Sequence, residues 1–203
     1  TVGAAHADDS GNAYPQFGQR VDVLPSQTLF SPATRLGFGF NRSIKPDILM
    51  PGGRQLYNAP MQDSSTLYSV DNSIIAPGQK VALDSKKQGV LNSEAFWRGT
   101  SNATALATRG AVRLYDMLDR LRNEEGEDIP ETLMSVLMKT LLVHGAKQDD
   151  VGKQHIEQAL KDARNTHQFK QAITRYLGYG IVDIERVLTC TAQRATVLGY
   201  GEI

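Results

Sequence analysis

Apolar residues recur at helical spacing through the middle of the chain: Ala103, Leu106, Ala107, Ala111, Leu114, Tyr115, Leu118 and Leu121 share one stripe, which predicts a long helix opening near Ser101 and running through Arg122. After a charged linker, 123–128, a second helix is predicted from Asp128. There Asp128-Ile129-Pro130-Glu131 combines a capping aspartate, an early proline and a first-turn glutamate, and Leu133, Val136, Leu137, Thr140 and Leu141 form the buried face. Two shorter helices follow over Lys153–Ala163, strongly charged, and Gln168–Leu177, and a last one spans Asp183–Leu188.

Strands are predicted near Thr1, over Lys45–Met50 and at Val21–Leu24. Ser73–Ala76 and Lys80–Leu83, divided by Pro77-Gly78, read as a hairpin on the rim, and the β-branched run Arg194–Leu198 reads as a strand entering another unit. From Asp8 to Ser43 the chain is rich in Gly, Ser, Asn and Pro and reads as surface loop; within it Gly37-Phe38-Gly39-Phe40 is either a loop or an extended strand for a substrate peptide. Long helices interleaved with short apolar strands place the chain in the α/β class with a mostly parallel sheet.

Composition narrows the function. The 203 residues are 40% hydrophobic, enough for one sizeable core, and 22 basic residues balance 22 acidic ones, so no overall field recruits nucleic acid or an anionic membrane. No run is long enough to cross a bilayer, and the first residues lack a signal-peptide layout. A lone Cys190 excludes an internal disulfide and tilts the reading toward a reducing, cytoplasmic compartment, with inert burial as its expected state. The four histidines lack metal-ligand spacing, so neither a metal nor a cofactor is expected. Asp8-Asp9 and Asp149-Asp150 read as loop acids, with a calcium ion as the competing use.

The candidate chemistry lies in Gly99-Thr100-Ser101-Asn102-Ala103, where a serine sits between a glycine turn and a helix start. A hydroxyl there lies beside unpaired N–H groups and the positive end of the helix dipole, which favour a developing oxyanion. The competing reading is a structural N-cap, a role serine fills often. A nucleophilic serine also needs a histidine base. His144 reads as a residue before a helix-ending glycine, His155 and His167 as surface residues, and His6, at a strand end, as structural.

Four segments in one order resemble the subtilisin-like serine peptidases, also called subtilases or peptidase family S8. Gly99-Thr100-Ser101-Asn102-Ala103 is similar to the family's nucleophile motif, with Ala105 in place of its usual proline; Lys45-Pro46-Asp47-Ile48-Leu49-Met50-Pro51-Gly52 resembles the strand before the serine; Val2-Gly3-Ala4 resembles an earlier strand; and Gly178-Tyr179-Gly180-Ile181-Val182-Asp183 resembles the closing turn. The resemblance implies a three-layer α/β/α fold and Ser101 as catalytic nucleophile, supported by Gly99, Thr100 and Asn102. It also implies a peptide or protein substrate. Its chain order of Asp, then His, then Ser puts the partner residues and the oxyanion asparagine ahead of Thr1.

Residues 1–190 are therefore expected to be the C-terminal portion of a peptidase domain that lacks its N-terminal part, and residues 191–203 the start of a following strand or unit. Such a fragment is expected to be inactive alone and to dimerise through an exposed sheet edge. The alternatives are a non-catalytic subtilase-like binding or assembly module, and an unrelated serine hydrolase; the missing Gly-x-Ser-x-Gly elbow argues against an α/β-hydrolase.

Overall fold

A computed structural model describes residues 1–10, 20–24, 29–60, 67–126, 128–160, 166–189, 196–197 and 199. In chain order these residues form β1 (Val2–Ala5), β2 (Arg20–Val21), β3 (Gly37–Phe38), β4 (Ile44–Lys45), β5 (Ile48–Pro51), β6 (Tyr57–Asn58), β7 (Ser69–Val70), β8 (Gln79–Ala82), β9 (Glu94–Trp97), α1 (Thr100–Asn123), α2 (Met134–Gly145), β10 (Ala146–Lys147), α3 (Asp150–Leu160), α4 (Thr166–Leu177), β11 (Ile181–Val182) and α5 (Ile184–Leu188).

The central sheet has the order β1-β5-β11-β10, with β1, β5 and β11 parallel and β10 antiparallel at one edge. Side chains alternate across its faces. Ala4, Ile48, Met50 and Val182 pack with Ala103 and Ala107 of α1 and with Leu142 and Val143 of α2. Ala5 and Leu49 face the other way, onto Ile156 of α3 and Ile173 and Leu177 of α4. The small residues of α1 let its first turns lie close on the strands. Farther along, Leu114 and Leu118 meet Met134, Leu137 and Leu141 of α2 and Val187 of α5.

Several expectations are corrected. In α1, Tyr115 is exposed and Gly110 is buried. The second helix starts four residues after Pro130: a 3-10 turn, Glu131–Leu133, comes first, and neither it nor α2 has a side-chain cap. Its buried face is Met134, Leu137, Leu141 and Gly145, leaving Val136 and Thr140 in solvent. Val21 does not join the central sheet but pairs antiparallel with Tyr57. Residues 73–78 form no strand, and β8 pairs with β9 instead. The reason is Asp71, whose carboxylate takes the Ser73 N–H and hydroxyl and curls the chain into a turn. Gly37–Phe38 pairs with Ile44–Lys45 as a short hairpin.

One edge of the central sheet, that of β1, is occupied. Residues 29–34 run along it, His6 donating its N–H to Leu29, Ser31 donating to Ala4, and Thr34 Oγ1 accepting the Ala4 N–H and donating to the Ala4 carbonyl. The edge of β1 is therefore covered at Ala4 and His6. Of the run 194–198, only 196 and 197 are described, and neither is in a strand; Cys190 lies outside the described residues.

Leu114 is fully buried where α1, α2 and α5 meet. Leu114→Ala is expected to cost about 2–5 kcal/mol of unfolding free energy, read as a lower urea midpoint at unchanged slope.

Candidate active site

The start of α1 is fastened to the C-terminal end of the parallel strands through backbone alone. Gly52, just past β5, donates its N–H to the Ala5 carbonyl at 3.0 Å, and its own carbonyl accepts the Gly99 N–H at 2.8 Å. A side chain at position 52 has no room, because a Cβ there would lie 2.4 Å from the Ala4 Cβ and 3.0 Å from the Gly99 carbonyl oxygen. Gly99 itself is the cap of α1, at φ 144° and ψ 171°. That region is open to glycine almost alone.

Ser101 is therefore not the cap but the second helical residue. It is exposed, and its hydroxyl has no hydrogen-bond partner among the described residues. Its N–H belongs to the first turn, whose amides have no partner within the helix. Thr100 is half-buried, with its carbonyl accepting Thr104 Oγ1. Asn102 is half-buried too, and its Nδ2 is shielded from solvent with no partner among the described residues. Space above Gly99 is open, since a Cβ built there meets nothing within 4 Å.

Behind this turn lies a buried ionic network that the linear sequence does not announce. Arg98 points inward with its side chain 6% exposed. It donates from Nε to the Arg54 carbonyl at 3.0 Å, from one terminal nitrogen to Ser73 at 2.6 Å, and from the other to Ile75 at 2.7 Å. Asp71 pairs with Arg20 at 2.6 Å and sits 4.0 Å from Arg98. Arg20 also donates to the Ala76 carbonyl. Arg54 pairs with Asp8, whose second oxygen is taken by Ser10. Burial pushes the Arg98 pKa down, the nearby Asp71 and Asp8 partly restoring it and Arg20 adding to the fall.

His6, fully buried, uses both ring nitrogens: Nδ1 accepts the Gln55 N–H at 3.3 Å, which leaves the proton on Nε2 for Asp22 at 2.9 Å. It is thus committed to holding 20–24 against the end of β1. His144 is exposed in the last turn of α2 and His155 lies on α3. The side chain of His167 is not described. The acidic pairs have protein partners as well, Asp8 on Ser10 and Arg54, and Asp149 on the N–H of Gly152 at the start of α3. Among the described residues no group of three or more His, Cys, Asp or Glu is placed to hold a metal ion, and no helix is long and apolar enough to cross a membrane.

Reading the sequence alone missed Arg98, Asp71, Arg20 and Arg54. The one available signal was the position of Arg98, directly before the glycine turn.

Substitution of Gly99 by alanine meets no neighbour but forces a side chain into the glycine-only region, at a cost of about 1–3 kcal/mol. The expected outcome is a thermal midpoint below that of the wild type. The carboxylates predict a pH dependence. Burial raises the Asp71 pKa, but the Ser73 N–H, the Ser73 hydroxyl and Arg20 outweigh it, so the folded value is below the ordinary one. Asp8 is likewise lowered, by Ser10 and Arg54 against burial. Groups that bind protons less tightly when folded stabilise fully above their unfolded pKa, about 4, and lose that stabilisation as pH falls below it. Unfolding free energy is expected to drop between about pH 5 and pH 2, with a shallower drop in Asp71→Asn.

No curated protein and no solved structure gives a significant match to this chain. The sequence profile of the subtilase family, Peptidase S8, matches residues 1–180, and this span takes in the parallel strands β1 and β5, the Gly99 turn, α1 and the closing Gly178-Tyr179-Gly180. The chain belongs to the subtilase family, an α/β family of serine-type peptidases that act on peptides and proteins.

Proposed function

We propose that this chain carries the nucleophile of a serine endopeptidase, Ser101, and half of the machinery around it. The observation that carries the reading is an exposed, unpartnered serine hydroxyl in the first turn of a long helix, at the C-terminal end of parallel strands, in a chain matched over 1–180 by the subtilase family. In this reading the Ser101 Oγ attacks the scissile carbonyl carbon and its proton passes to a base. The carbonyl oxygen takes the negative charge in reach of the Ser101 N–H and the helix dipole. Collapse expels the amine, which receives the proton, and water then releases the acyl group.

Gly99 sets the turn, Thr100 anchors the first turn by accepting the Thr104 hydroxyl at its carbonyl, and half-buried Asn102 supports that turn from the inner side. Base, orienting carboxylate and the side-chain oxyanion donor come from outside these residues, because His6 is already committed on both nitrogens and no described residue bonds the Ser101 hydroxyl. The two sheet faces, covered by α1 and α2 on one side and α3 and α4 on the other, are read as a three-layer α/β/α domain completed by that outside part.

Two measurements test this. A full-length protein carrying the chain is expected to form a fluorophosphonate adduct on Ser101, absent in Ser101→Ala; an adduct elsewhere, or none, favours the non-catalytic binding module. The 203-residue chain alone is expected to show no turnover of a peptide ester, since no described residue is bonded to the Ser101 hydroxyl to accept its proton. Turnover that disappears in Ser101→Ala would overturn the assignment of the base to residues outside the chain.

A further inference from the structure

We infer that Arg98 is a positioning residue for Ser101, acting through Gly99; this rests on the reading of Ser101 as nucleophile. The geometry is that of a strut. Three guanidinium nitrogens engage three separate backbone carbonyls, of Arg54, Ser73 and Ile75, at 3.0, 2.6 and 2.7 Å, and so tie the residue before Gly99 to two loops far from it in sequence. Only arginine offers donors in a rigid planar fork able to do this at once. Lysine, a single point of charge, satisfies one or two of these carbonyls and leaves the rest buried.

The three carbonyls are themselves held. Ser73 is fixed by Asp71 through both its N–H and its hydroxyl, and Arg54 is held to Asp8 through its N–H and Nε, at the end of β1. Asp71 in turn binds Arg20, which also reaches the Ala76 carbonyl next to Ile75. Backbone strain makes the strut necessary. Gly99 sits in a sparsely populated conformation with open space on its Cα, so no neighbouring side chain confines it from above. Its confinement comes from the Gly52 carbonyl on its N–H and from Arg98 on the residue before it. Release of Arg98 frees the pivot on which the Ser101 N–H and hydroxyl are aimed.

The test uses a full-length protein carrying this chain with Arg98→Gln, Arg98→Lys and Asp71→Asn. Two readouts are taken: amide hydrogen exchange over 98–103 against 107–120 of the same helix, and the kcat and KM of peptide hydrolysis. Arg98→Gln is expected to speed exchange at 98–103 while 107–120 keeps its protection, and to lower kcat about 10–100-fold with KM within about twofold. Arg98→Lys is expected to fall between wild type and Arg98→Gln in both readouts, and Asp71→Asn, which weakens the network one step away, to do so more mildly. Unchanged exchange and kcat in Arg98→Gln would overturn the inference, as would a loss of protection spread evenly over α1, which marks a merely structural role. If Arg98→Gln does not fold, the same comparison is decided by Arg98→Lys and Asp71→Asn. If the wild type shows no hydrolysis, the peptidase reading fails on its own, and the exchange pattern alone still decides whether Arg98 positions Ser101.

Discussion

The Gly99 N–H reaches the Gly52 carbonyl across 2.8 Å, and through that bond the first turn of α1 is registered on the end of the parallel strands. A bond of this kind is worth only about 1 kcal/mol net. Its importance is geometric. The two chains can approach so closely only because position 52 carries no Cβ, and the turn into the helix exists only because position 99 tolerates φ 144°. Once both hold, the direction of α1 follows, and so does the presentation of Ser101 to solvent. The packing of Ala103 and Ala107 on Ala4, Ile48 and Met50 then locks the helix down.

What was legible in the sequence divides along that line. The long helix announced itself because its stripe of small and large apolar residues is local and periodic. Val2-Gly3-Ala4 and Ile48-Leu49-Met50 read as strands because both sheet faces are buried, which leaves continuous apolar runs. The 73–83 hairpin failed for a physical reason. Ile74 and Ile75 have strand-like side chains, yet the Asp71 carboxylate competes for the local backbone and bends it, and the partner of β8 is supplied by residues 94–97 instead. The buried face of α2 was legible in part: Leu137 and Leu141 are buried as expected, but the helix begins after a 3-10 turn, and Met134 turns inward while Val136 faces outward. At the site, the place of Ser101 in the first turn of a long helix was legible from the glycine turn before it and the apolar stripe after it. Arg98 and Asp71 were not, because a pairing between residues far apart in sequence leaves no spacing to read.

Burying Arg20, Asp71, Arg98, Arg54 and Asp8 together is a costly way to hold a loop. Desolvation of each charge costs several kcal/mol, and well-packed apolar residues would often be as stable or more so. What ions and their hydrogen bonds add is direction: every carbonyl that Arg98 meets must be at its own angle and distance. The chain at 53–56 and 71–76 has little regular structure of its own, so an apolar filler would leave those carbonyls unpaired in a shielded place. A satisfied network therefore replaces the sheet hydrogen bonds that these loops lack, and it does so directly before the Gly99 turn that opens α1.

The exposed Ser101 hydroxyl also bears on which interactions must do the chemistry. A helix N-terminus stabilises a neighbouring negative charge by about 0.3–1 kcal/mol, up to about 2 in favourable partly buried settings. One well-aimed oxyanion donor is worth about 2.7–4 kcal/mol. Together these fall below the roughly 8 kcal/mol that separates even a modest enzyme from the uncatalysed reaction. Proton removal by a positioned base contributes about 10²–10⁴-fold, the portion that α1 cannot supply. In the proposed peptidase reading, with His6 fixed between Gln55 and Asp22, the base reaches Ser101 from the solvent-facing side, over Gly99, where the structure is open. The same opening has to admit the substrate. Any residue larger than glycine at 99 would then intrude on the approach of base and substrate as well as strain the turn.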